Sequence, residues 1–315
     1  MVEANRATVR RVGPAAAIRE SAAAATASRA AWFYGAIWLA CVGDLLLRGQ
    51  VVTVLIGAGA AAGSGVLAAI TIAMTARAPA PSWTAEPISR DRTRLALQVV
   101  LLLMLSLLIV EWLLDWKRLL PHVLTAVPAW TWFYDHLGRA EFHLALPPGF
   151  LTTPVIYGVL PLVLTLALGA RPCELGLGRG YRAWRVTAVW CALPAVVILV
   201  QLATGRSFVA LLRRLLTVAM TSGPWEEFLY RGALLTRVAG LWGAGWGIVL
   251  SSLMFGLLHV ATNVNDLGLG TDLLTGAAAG VVMQGTGAIG FAVATQRTGN
   301  LLATSVTHVV FNSIG

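Results

Sequence analysis

The stretch LALQVVLLLMLSLLIVEWLL, residues 95–114, is apolar along almost its whole length and carries a single acidic residue, Glu111. A helix needs roughly 20 apolar residues to cross a bilayer, because the hydrocarbon core is about 30 Å thick and each residue adds about 1.5 Å. The stretch therefore predicts a helix that spans a membrane.

The composition of the whole chain indicates the same class of protein. Of its 315 residues, 57% are hydrophobic and 12% are charged, whereas soluble domains carry about 25% charged residues. The net charge of +9 comes from arginines that lie in short segments between apolar blocks. This distribution is typical of the loops of membrane proteins, and it argues against a nucleic-acid partner.

The apolar residues form blocks, which predict an all-α, polytopic integral membrane protein with eight or nine transmembrane helices. The blocks are residues 30–47, 51–75, 95–114, 150–170, 186–203, 215–235, 245–262, 273–294 and 300–315. We divide the chain into a basic, mobile cytoplasmic tail (1–29), transmembrane helices without a recognised motif (30–170) and a catalytic transmembrane core (171–315).

The distribution of lysine and arginine sets the expected orientation. These residues are more numerous in the loops on the N-terminal side of the predicted membrane than in those on the other side, so the N-terminus is expected in the cytoplasm. Arg213 and Arg214 would then lie on the outer side, unless residues 208–221 lie along the membrane surface or re-enter it.

The cysteines Cys41, Cys173 and Cys191 are far apart in the sequence. Without a CxxC pair, neither a disulfide framework nor a cysteine-based zinc site is expected.

Ionisable side chains are costly inside a bilayer, and the last third of the chain concentrates them. Gly223-Pro224 is a helix-start signal, and Glu226, Glu227 and Arg231 follow it. Glu227 and Arg231 are four residues apart, so they face each other on one side of a helix and can form a structural ion pair. This pair leaves Glu226 without a partner in the sequence and available for chemistry.

Two further helices carry polar residues at a spacing of four. His259 follows Phe255 near the end of one block, and His308 precedes Asn312 in the last block. A lone histidine can be a satisfied core residue, and a histidine with an amide can simply join two helices by hydrogen bonds. Alternatively, both can be donors aimed at a developing negative charge. The order of the blocks brings Glu226, His259 and His308 to one depth in the membrane, which favours a shared site.

The motifs EExxxR, FxxxH and HxxxN, in this order on successive helices, resemble those of the CAAX-protease and bacteriocin-processing (Abi) family. Here they are Glu226-Glu227 with Arg231, Phe255 with His259, and His308 with Asn312. Two shorter stretches, Glu174-Leu-Gly-Leu177 and Thr298-Gly-Asn300, also resemble that family. The resemblance covers residues 171–315, and the preceding 170 residues contain no recognised motif.

The resemblance implies hydrolysis of a peptide bond in a membrane-anchored substrate. It assigns Glu226 as the base that activates water and His259 as the residue that helps to hold this water. His308 and Asn312 would stabilise the oxyanion, while Glu227, Arg231 and Phe255 would support the site. Family members act on prenylated CaaX tails, bacteriocin precursors or C-terminal sorting helices. We expect a sorting or anchoring signal as substrate, and a bacterial inner membrane as location.

The role of a metal is left open by the sequence. Glu226, His259 and His308 together resemble a His₂Glu zinc site with water as the fourth ligand. However, the chain has no HExxH helix, and neither histidine has an evident acidic partner that would orient it on a metal. We therefore favour a glutamate mechanism without a cofactor, with a divalent metal such as zinc as the alternative.

Other classes of membrane protein fit the sequence less well. A serine protease would use a residue such as Ser64, but the sequence Gly63-Ser64-Gly65 is better explained by close helix packing. An aspartyl protease needs two aspartates in mid-membrane, and Asp44 and Asp272 lie near block ends. A transporter, a silent scaffold or a bacteriocin-immunity protein would also carry intramembrane polar groups, and these remain the alternatives to an enzyme.

Overall fold

The computed structural model describes residues 13–78, 91–117, 119, 127–270 and 272–314, and this part of the chain is helical without strands. The helices are α1 Pro14–Thr26, α2 Arg29–Leu47, α3 Val51–Met74, α4 Arg92–Trp116, α5 Pro128–His143, α6 Leu160–Ala167, α7 Ala183–Trp190, α8 Ala192–Ala203, α9 Phe208–Thr221, α10 Gly223–Glu227, α11 Leu235–Trp242, α12 Ala244–Leu258, α13 Val260–Asp266, α14 Leu273–Gly280, α15 Thr286–Thr298 and α16 Leu302–Ile314. Three π-helical segments, Pro154–Val159, Phe228–Leu234 and Val281–Gly285, lead directly into α6, α11 and α15.

The all-helical class is confirmed, whereas the count of eight or nine transmembrane helices is not. Within the described ranges, four helices are long and apolar enough to cross a membrane: Arg29–Leu47, Val51–Met74, Arg92–Asp115 and Leu273–Thr298. Two bent pairs, α7 with α8 and α12 with α13, raise this number to six if each pair is one span. Residues 154–167 and 302–314 form shorter apolar helices.

The prediction of one helix over residues 215–235 is wrong. Helix α9 ends at Thr221, and Ser222 then has φ −150° and ψ −90°, which are not helical angles. A new helix begins at Gly223 with Pro224 in its first turn, because proline lacks the N–H that would continue the hydrogen-bond ladder of α9. The helix that carries the Glu226-Glu227 motif therefore has its N-terminus close to these carboxylates.

Part of the expected N-terminal tail is a helix. Residues 1–12 of that tail lie outside the described ranges, but α1 covers Pro14–Thr26 and packs against α3. Its alanine-rich sequence has high helix propensity, and Pro14 in the first turn starts it. The assignment of residues 1–29 as a mobile cytoplasmic tail stays a prediction.

Small residues bring the helices of the C-terminal half close together. A Cβ atom on Gly280 of α14 would lie 2.3 Å from the carbonyl oxygen of Gly256 on α12, so only glycine permits this approach. On the opposite side, Ser64 of α3 accepts a hydrogen bond of 2.8 Å from the backbone N–H of Gly290. Ser64 therefore packs against α15, whereas a Cβ atom on Gly63 or Gly65 would have no neighbouring atom within 4 Å.

Candidate active site

Helices α10 and α16 approach each other closely at the start of α10. A Cβ atom on Gly223 would lie 2.6 Å from Cγ2 of Val309, so a larger residue at position 223 would push α16 away. Val309 follows His308 directly in the sequence, so this close contact brings the imidazole of His308 to the two glutamates of α10.

The predicted ion pair forms in the protein core. Arg231 Nη1 lies 3.1 Å from Glu227 Oε1, and the two side chains are 1% and 0% exposed. The guanidinium also lies over the ring of Phe255, 4.1 Å from its centroid, in the geometry of a cation–π interaction. Phe255 therefore supports the ion pair as well as the adjacent histidine.

His308 connects the two glutamates. Its Nδ1 donates a hydrogen bond of 2.9 Å to Glu227 Oε1, and its Nε2 lies 3.8 Å from Glu226 Oε2. The imidazole is buried between the rings of Phe255 and Phe291, each with its centroid 6.0 Å away. Nδ1 of His308 is therefore held by a hydrogen bond, while Nε2 faces Glu226 beyond hydrogen-bond distance.

His259 lies at the break between α12 and α13, where the helix axis bends by 45°. Its Nδ1 lies 2.9 Å from the carbonyl oxygen of Phe255. A carbonyl can only accept, so Nδ1 carries the proton in this hydrogen bond and Nε2 of the neutral ring is left as an acceptor. His259 can therefore accept a hydrogen bond from a water molecule at Nε2.

A cavity of about 630 Å³ opens onto Glu226 and His259. Its wall contains aromatic and apolar side chains from the N-terminal half of the chain as well as from α12. The lining residues are Trp112, Leu113, Tyr134, Gly138, Glu141, Phe142, Leu146, Pro148, Gly149, Thr152, Thr153, Tyr157, Thr221, Glu226, Leu258, His259 and Thr262. Such a mainly apolar pocket with a few convergent polar groups is typical of a binding site.

The structure thus brings together all the sequence-predicted site residues except Asn312. That side chain is exposed and is not part of the cavity wall, and the backbone carbonyl of Asn312 accepts hydrogen bonds from Arg214. His308 also lies behind Glu226 rather than in the cavity wall. The oxyanion role implied for His308 and Asn312 therefore has no support in this geometry and stays a prediction.

The choice between a metal-free and a zinc mechanism stays a prediction. Nδ1 of His308 is bonded to Glu227 and Nδ1 of His259 to the backbone carbonyl of Phe255, so each ring has the kind of partner that also orients a metal-binding histidine. Among the residues that the structure describes, no group of three or more His, Cys, Asp or Glu is arranged to hold a metal ion.

The two shorter family-like stretches pack against each other beneath the site. The Asn300 side chain donates a hydrogen bond of 2.6 Å to the carbonyl of Gly178, and the N–H of Leu301 donates to the carbonyl of Gly176. Glu174 forms a buried ion pair with Arg237, at 3.3 Å. These contacts tie the loop that contains Glu174 to α11 and to the start of α16.

The contribution of residues 112–113 and 134–157 to the cavity was not predicted from the sequence. Glu141, on the amphipathic helix α5, is 6% exposed. Its carboxylate accepts hydrogen bonds from the backbone N–H groups of Gly149, Leu151 and Thr152, at 3.1, 2.7 and 2.7 Å. The aromatic stretch 130–143 has two acids, Asp135 and Glu141, and the sequence carries no signal that selects Glu141 for this role. Glu141 therefore holds the backbone that forms one wall of the cavity.

We expect Glu141→Gln to lower the stability of the protein by about 2 kcal/mol at neutral pH, since hydrogen bonds to a charged group contribute more than neutral ones. Burial raises the pKa of Glu141, but the three N–H donors outweigh it and hold the pKa below its usual value of 4.5. The stabilisation is therefore complete above pH 4.5 and is lost as the pH falls through the lowered pKa.

Thermal unfolding of the full chain in detergent, measured from neutral to acidic pH, tests this prediction. The wild type should unfold at a higher temperature than Glu141→Gln at neutral pH, and this difference should disappear at acidic pH. Asp135→Asn, the same exchange of acid for amide at an exposed position of α5, should follow the wild type. If the difference in unfolding temperature between the wild type and Glu141→Gln stays constant down to acidic pH, the explanation based on the charge of Glu141 is contradicted.

The fold and the site together define a class: an integral membrane protein of helices with a carboxylate, two histidines and a buried ion pair beside an apolar cavity. Residues 208–314 match the model of the family described as Type II CAAX prenyl endopeptidase Rce1-like. Over these residues the chain is similar to that family, and the resemblance to the CAAX-protease and bacteriocin-processing family is confirmed there. Comparisons with curated proteins and with solved structures found no match.

Proposed function

We propose that this protein is an intramembrane endopeptidase in which Glu226 activates the hydrolytic water. The observation that carries the proposal is the environment of Glu226. Its side chain is 14% exposed and lines the cavity together with His259, whereas the adjacent Glu227 is fully buried in the ion pair with Arg231. Glu227 therefore stabilises the fold, whereas Glu226 faces the cavity that a substrate can enter.

The chemistry requires a water molecule between Glu226, His259 and the carbonyl carbon of the substrate. Glu226 accepts one proton of this water while the water oxygen bonds to the carbonyl carbon and the carbonyl oxygen becomes an oxyanion. Nε2 of His259 accepts a hydrogen bond from the second hydrogen and orients the attacking lone pair. When the tetrahedral intermediate collapses, the C–N bond breaks and Glu226 returns its proton to the departing amine.

His308 acts on this step through Glu226 rather than through the substrate. With Nδ1 held by Glu227, Nε2 of His308 faces Glu226 at 3.8 Å and restricts the positions that the carboxylate can adopt. Fixing a reacting group in this way lowers the entropic cost of reaching the transition state. We propose that this mechanism needs no metal.

We infer the substrate class from the cavity and from the similarity to the family. A mainly apolar wall next to a water-activating carboxylate suits a peptide bond within or beside a membrane anchor, such as a sorting helix or an anchored C-terminal tail. The arginine- and alanine-rich composition suggests a bacterial inner membrane, and the positive-inside rule favours a site in its outer half.

Reconstitution tests this function directly. Membrane proteins extracted from cells that lack this chain are incorporated into liposomes with the purified protein, and new peptide termini are measured by mass spectrometry. We expect termini that map to membrane-anchored segments, and we expect a metal chelator to leave them unchanged. Absence of new termini would favour the scaffold, transporter or immunity alternatives, and loss with the chelator would favour a metal mechanism.

A further inference from the structure

A second cavity, of about 680 Å³, lies on another side of the protein between α1, α2, α3, α12 and α15. Gly65, Ala68 and Ile72 of α3 face Ile289 and Val293 of α15 across it. Small side chains on α1 and α3 leave this groove open, and it shares no lining residue with the cavity that contains Glu226.

The groove leads to a guanidinium whose hydrogen-bond partners among the described residues are neutral. Arg297 is partly buried and lines the groove. Its Nε and Nη2 donate hydrogen bonds to the hydroxyl and the carbonyl of Thr75, at 3.2 and 3.1 Å. Both partners are neutral, and Arg297 forms no ion pair within the described residues. By contrast, the fully buried Arg231 and Arg237 each pair with a carboxylate.

A partly buried guanidinium whose described partners are neutral can bind an anion, because the anion restores the interaction with a charge or with water that burial removes. The planar guanidinium matches the geometry of a phosphate in particular.

The apolar residues and the cation lie in line. On α3, positions 65, 68 and 72 lie on one face of the helix. Thr75 continues this face, about 15 Å along the helix axis from position 65. On α15, positions 289 and 293 lead to Arg297 at the same spacing of four. The groove therefore offers an apolar path of about this length that ends at a positive charge.

We propose that this groove binds an anionic phospholipid, with the phosphate at Arg297 and one acyl chain along α3 and α15. The charge of the site complements the head group, the apolar path complements the chain, and the surrounding bilayer supplies the ligand. This site is independent of the proposed peptidase activity.

The experiment measures the thermal midpoint of the full-length protein in detergent with added phosphatidylglycerol or with phosphatidylcholine of the same acyl chains. Phosphatidylglycerol should raise the midpoint of the wild type more than phosphatidylcholine does, since binding to the folded state alone stabilises it. Arg297→Gln should lose most of this difference. Arg185→Gln, which removes an exposed arginine that does not line the groove, should keep it.

Two further arms separate the alternatives. Ala69→Leu narrows the groove without removing Arg297, and it should also lose most of the difference. Inorganic phosphate should not replace the lipid. The proposal is overturned if Arg297→Gln responds like the wild type, if Arg185→Gln loses as much as Arg297→Gln, or if inorganic phosphate with phosphatidylcholine reproduces the gain.

Discussion

Glu226→Gln is expected to lower the rate of cleavage by a factor of about 10² to 10⁴, the usual contribution of a general base. The amide has the shape of the carboxylate but cannot accept the proton of the attacking water. Folding should be retained, because Glu226 faces the cavity and forms no ion pair with an arginine in the described part of the chain. The rate is measured in liposomes with one substrate identified by its new termini.

Glu20→Gln provides the matched control, since it makes the same chemical change at an exposed position of α1. Its rate should equal that of the wild type, and both variants should unfold at the temperature of the wild type. If Glu226→Gln cleaves as fast as Glu20→Gln, Glu226 is not the base.

Glu227→Gln is expected to destabilise the protein by about 3–5 kcal/mol, the cost of leaving a buried charge without its partner. Arg231 is 1% exposed, and Glu227 is the carboxylate with which it pairs. The same exchange weakens the hydrogen bond from His308 Nδ1. The loss should appear as a lower thermal midpoint in detergent and as poor accumulation in the membrane.

A double substitution separates the buried charge from general damage to the core. Arg231→Met in the Glu227→Gln background removes the stranded guanidinium and keeps an apolar side chain beside Phe255. We expect this pair to be more stable than Glu227→Gln alone, because the two effects are coupled through one interaction. If the double variant loses as much stability as Glu227→Gln and Arg231→Met lose in total, the broken ion pair is not the cause of the destabilisation in Glu227→Gln.

Hydropathy predicted the three long apolar helices of the N-terminal part of the chain. The blocks that correspond to α2, α3 and α4 agree with the structure to within a few residues, because long apolar runs without charges have few alternatives in a bilayer. The helix from Gly223 to Trp242 has four charged residues, of which Glu227, Arg231 and Arg237 are buried, and hydropathy therefore places its start in the wrong block. Gly223-Pro224 indicates the correct start of this helix. This local signal is lost when hydropathy is averaged over a window of residues.

The site was predictable where residue spacing fixes geometry. The ion pair of Glu227 with Arg231 follows from a spacing of four in the sequence, and so does the contact of Phe255 with His259. The position of Asn312 depends instead on how the end of α16 lies against α9, which sequence spacing does not determine. The role of Glu141 depends on three backbone N–H groups, and these leave no trace in side-chain patterns.

The most direct test of the central claim compares peptide termini in cells that lack this protein and are supplied with either the wild type or Glu226→Gln. We expect a set of membrane-anchored proteins to be cleaved with the wild type and to remain uncleaved with Glu226→Gln, as in the cells without the protein. If both forms restore the same cleaved termini, the claim that Glu226 activates the hydrolytic water is contradicted.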